Sequence, residues 1–220
     1  MTSISEEILK ELPNSAEVLT DIAAAYEEYK WLSVIFHITF IILLFLWLKY
    51  GNKINRAISG FFALACFLIV FRAILDGDPF DSITFGIITA AWVFELFRQK
   101  NKYSIRSTGK FTLILCTIAG FIGFWYPYLT DNYLLALTNS PFGIIECPTL
   151  IVMLSVLCII YPNTNRVTHA VITLFGLFFG FLGTFWLGVQ LDIVLLVISL
   201  YSTGLLLSSL RHKEKHNNKR

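Results

Sequence analysis

Apolar runs recur along almost the whole chain, and no other feature constrains the fold more. They are Trp31–Tyr50, Ala57–Leu75, Phe80–Phe97, Phe111–Leu129, Pro148–Tyr161, Val167–Leu187 and Asp192–Leu210. A helix needs about 20 apolar residues to cross the roughly 30 Å hydrocarbon layer of a bilayer. Most of these runs meet that length, so the expected solvent is lipid. Composition agrees, with 56 % hydrophobic residues, 15 % charged residues and a mean hydropathy of +0.68. A closed barrel is excluded, because its strands would alternate apolar and polar residues and these runs are continuous. The expected fold is an all-α membrane protein. It is a bundle of seven transmembrane helices over residues 31–210, preceded by an acidic segment (1–30) with an amphipathic helix and followed by a basic tail (211–220).

Charge placement orients the bundle. The connections after the first, third and fifth runs, together with the tail, hold 14 of the 17 Lys and Arg residues. The opposite side keeps Lys10, Lys30 and Arg72, and it holds most acids, among them Asp76, Asp78, Asp81, Asp131, Glu146 and Asp192. Basic loops stay in the cytoplasm. The expected topology is therefore a multi-pass protein of the inner (plasma) membrane, with its N-terminus outside and its C-terminus cytoplasmic. Trp31, Trp125, Tyr126, Tyr128 and Trp186 fall at outer ends, and Trp47, Tyr50 and Tyr161 at inner ends, as interfacial aromatics do.

Ahead of the first run, Asn14 with Glu17 three residues on reads as a helix start. Val18, Leu19, Ile22, Tyr26 and Tyr29 form one stripe opposite Glu17, Asp21, Glu27 and Glu28. This segment either lies on the outer interface or continues into the first span. Gly176, Gly180 and Gly183 in FGLFFGFLG, Gly86 with Ala90, and Gly120 with Gly123 allow close helix approach. They serve packing within the chain or, for the first three, a homodimer seam.

Polar residues at membrane depth carry the functional signal. His37, Arg72, Asp76, Glu146, Cys147, Thr149 and Asp192 all belong to the outer ends of spans. The fifth run is short, about 21 Å as a helix, and Pro148 suits its first turn. The preceding SPFGIIECPT can dip below the outer surface to meet it. Irregular backbone survives there only when enclosed by protein or lining a wet cavity. The expectation is an outer-leaflet cavity lined by those seven residues, with Arg72 holding an anionic group or a carboxylate partner. The plainer alternative is an Arg72–carboxylate pair among ordinary interface residues. Glu95, one turn before Arg98, reads as half of a snorkelling pair. Cys66, Cys116 and Cys158 read as small apolar residues, and only Cys147 sits in polar company.

The stretch AYEEYKW before the first span and the stretch PFGIIECPTLIVML resemble an uncharacterised bacterial membrane-protein family, the domain of unknown function 6064. That family shows a Gly-x-Pro-Cys-Pro-Thr run opening a helix, and here Glu146 stands in place of the first proline. The resemblance covers about residues 18–205. It implies no substrate, and it draws attention to Cys147, Pro148 and Thr149.

Several activities lack their residues. The last run has no lysine for a retinal Schiff base. His37 and His169 lie near opposite sides, unlike paired haem ligands, and there is no HExxH, Walker or Rossmann motif. No cofactor, no metal and no nucleic acid is expected; the partner is the bilayer. The functional expectation is small-molecule or ion transport or binding through the outer polar cavity. A non-catalytic accessory or scaffold subunit is the alternative, and a membrane-embedded enzyme the second alternative.

Overall fold

The structure, a computed structural model, describes residues 15–104, 108–127, 137 and 140–217. The Asn14 cap, Lys10, Arg106, Tyr128, Asp131 and the end of the tail lie outside the described residues. The described chain is helical with no strand: α1 (Ser15–Tyr50), a 3-10 turn (Gly51–Ile54), α2 (Asn55–Leu75), α3 (Pro79–Arg98), α4 (Lys110–Trp125), α5 (Glu146–Ile160), α6 (Arg166–Phe185) and α7 (Asp192–Asn217).

Local chemistry sets several of these boundaries. No glycine or proline interrupts Ser15–Tyr50, so the amphipathic segment runs unbroken into the first apolar run as one 36-residue helix. Of the two arrangements open to the sequence, the continuous one is found. Gly51 (φ +54) ends that helix, and Gly77 (φ +72) turns the chain after α2. Asp78 then caps α3, accepting from the Phe80 and Asp81 N–H groups, with Pro79 at the first helical position. Asn165 caps α6 in the same way through Val167 N–H.

Four stretches are long and apolar enough to cross a membrane: 26–75, which spans most of α1, the 3-10 turn and α2, then 79–98, 166–185 and 192–209. The helices α4 and α5 are shorter, at 16 and 15 residues. Large apolar side chains face outward, with Phe97 77 % exposed and Phe45 and Phe111 also on the outside. An exterior of this kind is stable in lipid and not in water.

The helix α5 is the axis of the bundle. All its residues except Cys147 are buried. Its neighbours are α4, α6 and α7, with α2 touching it as well. Because protein sheathes α5, its length need not match the bilayer, which accounts for the short fifth run. Its tight fit against α4 depends on Gly123, where a Cβ would come within 2.7 Å of Ile151 Cγ2 and 3.0 Å of the Pro148 carbonyl. The α1 helix is held instead by large rings: Phe36 and Phe40 meet Phe61, Phe62, Phe124 and Phe142.

The glycines of α6 face α7 of the same chain. A Cβ at Gly180 would lie 2.7 Å from Leu196 N, and Cβ atoms at Gly176 and Gly183 would run into Ser199 and Asp192. This close approach within the chain already occupies all three glycines. Gly86, expected to pack, has open space instead: a Cβ there would meet nothing within 4 Å.

Candidate functional site

Five helix ends meet at one end of the bundle. The α2 C-terminus brings Arg72, and the α3 N-terminus brings Asp78 and Asp81. The α4 C-terminus is followed by Tyr126. The N-termini of α5 and α7 bring Glu146 with Cys147, and Asp192. Arg72 Nη2 donates to Glu146 Oε1 at 2.5 Å, and both side chains are about nine-tenths buried. Asp76 Oδ2 lies 3.9 Å from Arg72 Nε on the half-exposed rim. The Arg72 Nε–H has no hydrogen-bond acceptor among the described residues. Asp81 interacts with Glu146, Asp78 and Arg72. Beside Glu146, the Tyr126 hydroxyl donates to Asp192 Oδ1 at 2.5 Å, and the Cys147 thiol lies near the same carboxylate.

Sequence detail explains how the acids come so close. The turn after α6 is tight, with Gly188 at φ +70, Val189 N–H donating to Gly183 O, and Asp192 N–H donating to Val189 O. This folds Asp192 back onto Gly183, where the missing side chain leaves room for its carboxylate. Asp78, Asp81, Glu146 and Asp192 all sit at helix N-termini, whose free N–H groups and partial positive charge favour carboxylates.

Five of the seven expected residues thus meet: Arg72, Asp76, Glu146, Cys147 and Asp192. Two do not join them. Thr149 Oγ1 instead accepts from Gly143 N–H and donates to Ile145 O, which ties the buried segment 140–145 to the first turn of α5. His37 lies in a separate knot with Ser33, Ser140 and the Phe124 carbonyl. Within SPFGIIECPT, Ser140 through Glu146 are all buried by protein. Gly143 (φ +85) packs directly on the Phe36 ring, so no other residue fits there. Asp81 and Tyr126 belong to the cluster but were not among the expected residues. The Asp78-Pro79 helix start, which sets Asp81 in the first turn of α3, was the available signal for Asp81.

At the opposite end, Glu95 does not pair with Arg98 near the surface as expected. It is fully buried, accepting from Asn101 N–H at 2.5 Å and from Asn165 Nδ2 at 2.8 Å. Asn101 Oδ1 in turn accepts from Asn165 N–H, and its carbonyl accepts from Asn55 Nδ2. Trp47 Nε1–H donates to the Tyr103 carbonyl. Burial raises the Tyr103 hydroxyl above its ordinary pKa. Local sequence could not pair Glu95 with Asn165, 70 positions away. Among the described residues, no group of three or more His, Cys, Asp and Glu is placed to hold a metal ion.

A family model described as a family of unknown function, DUF6064, matches residues 16–217. The chain belongs to this family. No curated protein and no solved structure matches it. The DUF6064 match spans α1 to α7, so both ends of the bundle fall inside it.

Proposed function

We propose that this DUF6064 protein is a multi-pass protein of a bacterial plasma membrane that takes up a cation, foremost a proton, at the carboxylate-rich end of its bundle. One observation carries the reading. Asp76, Asp78, Asp81 and Glu146 gather around the cation Arg72, with Asp192 beside Glu146, and Glu146 already engages that cation at 2.5 Å. Such a site attracts positive charge and repels anions. An anionic substrate held by Arg72, one of the two sequence expectations, is therefore not part of this proposal.

Seven passages complete the reading. The irregular buried segment 140–145 extends the short α5 toward the outer surface, enclosed by protein as such backbone must be. The exposed basic residues Lys53, Arg56, Arg98, Lys100, Lys102, Lys110 and Arg166 lie at the other ends of these helices. That distribution favours a carboxylate cluster facing out and a cytoplasmic C-terminus.

The test uses the purified chain in sealed liposomes with a pH-sensitive dye inside. Acidifying the outside is expected to acidify the lumen in the wild type. The effect is expected to disappear in the double variant Arg72→Gln/Glu146→Gln, which removes the pair without stranding either charge. Equal acidification by both proteins, or none above empty liposomes in the wild type, overturns the reading.

A further inference from the structure

The two buried histidines differ in their hydrogen-bond partners. Around His169 every bond closes on a neutral ring. Thr173 Oγ1 donates to the His169 carbonyl at 2.7 Å, so it accepts from Ser202 Oγ at 2.6 Å. Ser202 Oγ then accepts from Nε2–H at 2.7 Å, and Nδ1 accepts from Thr164 Oγ1 at 3.1 Å. One ring hydrogen satisfies both nitrogens.

His37 is placed differently. Its Nδ1 lies 2.8 Å from the Ser33 carbonyl, and its Nε2 lies 2.9 Å from the Phe124 carbonyl. The two hydroxyls nearby each have a carbonyl closer than the ring. Ser33 Oγ, 3.3 Å from Nδ1, donates to the Ser140 carbonyl, and Ser140 Oγ, 3.0 Å from Nε2, donates to the Phe124 carbonyl. The nearest partner of each ring nitrogen is therefore a carbonyl oxygen. A neutral imidazole has one N–H, so either tautomer turns a nitrogen lone pair toward a carbonyl oxygen.

We propose that His37 is a proton-binding site. On uptake an N–H bond forms at the ring nitrogen that lacks one, and the hydronium that supplies the proton is left as water. The ring then donates to Ser33 O and Phe124 O together, joining α1 to the end of α4. Ser140 bonds the same Phe124 carbonyl and accepts from the Ser33 hydroxyl, so the site adjoins segment 140–145, which leads directly into Glu146. The groups facing the ring are Ser33 from α1, Phe124 from α4, and Ser140 and Phe142 from the connecting segment. None of them is charged, so the response belongs to the imidazole itself. This proposal does not depend on the carboxylate cluster taking up cations.

The experiment is nitrogen-15 NMR of the histidine rings in nanodiscs, across about pH 5 to 8, where histidine charge changes. The variant His212→Gln/His216→Gln clears the tail and leaves two rings to observe. One ring is expected to convert on acidification to the form with both nitrogens protonated, and the carbonyl carbons of Ser33 and Phe124 are expected to shift with it. His37→Gln is expected to remove that transition, whereas Ser140→Ala, which keeps both carbonyls, retains it. Where His37→Gln does not fold, the contact between the ring and Phe142, centroids 5.6 Å apart, identifies the resonance. A single neutral tautomer of His37 throughout the range, or a transition that leaves the two carbonyls unmoved, overturns the proposal. Either result can coexist with proton flux through the carboxylate cluster, so the two readings fail separately.

Discussion

Replacing Glu146 with alanine leaves Arg72 buried without its closest partner. The pair is made at 2.5 Å, with side-chain exposures of only 10 % and 7 %. Breaking a buried pair by removing one member costs about 3–5 kcal/mol, mostly through the stranded charge. The remaining Asp76 contact, at 3.9 Å and 50 % exposed, recovers part of that. The expected loss for Glu146→Ala is therefore near the lower figure, about 3 kcal/mol. Arg72→Met/Glu146→Leu removes both charges and keeps apolar volume, so it is expected to cost less than about 1 kcal/mol. Thermodynamic unfolding in bicelles measures both, and the cycle closed with the singles Arg72→Met and Glu146→Leu is expected to yield a coupling of about 2 kcal/mol or more. A single variant costing under about 1 kcal/mol, or two singles that simply add, would refute the view of Arg72 and Glu146 as one enclosed unit.

Three further outcomes follow from packing and hydrogen bonding. Gly183→Ala places a methyl where the Asp192 carboxylate sits, so it is expected to lower stability by about 1–3 kcal/mol and to change the maleimide reactivity of Cys147, which lies near Asp192. Gly86→Ala meets nothing within 4 Å and is expected to be neutral or to stabilise α3 by up to about 1 kcal/mol in the same unfolding assay. Glu95→Gln turns an amide NH2 toward a group that already donates, either Asn101 N–H or Asn165 Nδ2. It is expected to cost about 1–3 kcal/mol and to raise proteolysis of the 99–109 connection.

The carboxylate cluster was half legible from the chain. Arg72, Asp76, Glu146, Cys147 and Asp192 stand out because ionisable groups near lipid are costly wherever they occur. Their depth follows from counting residues along each run. Thr149 and His37 share that depth, yet they turn toward the 140–145 segment, and depth along a helix says nothing about rotation around it. Glu95 shows the same limit more sharply. Its near neighbour Arg98 suggested a local pair, but the true partners Asn101 and Asn165 come from a loop and from the start of α6.

The sequence by itself determined that the chain is helical, apolar outside, and arranged with its basic connections on one side. Those properties are sums over local residues: run length, hydrophobicity and charge, each read against the thickness and polarity of a bilayer. Only the tertiary structure decided that α5 is sheathed by protein, that the α6 glycines face α7, and that Glu146 lies between Arg72 and Asp192. These depend on which faces of distant helices meet. In a chain whose helices are apolar on nearly every side, hydrophobic pattern does not distinguish a face against lipid from a face against protein. Small residues and the few buried polar groups make that choice, and they do so only in pairs drawn from separate helices.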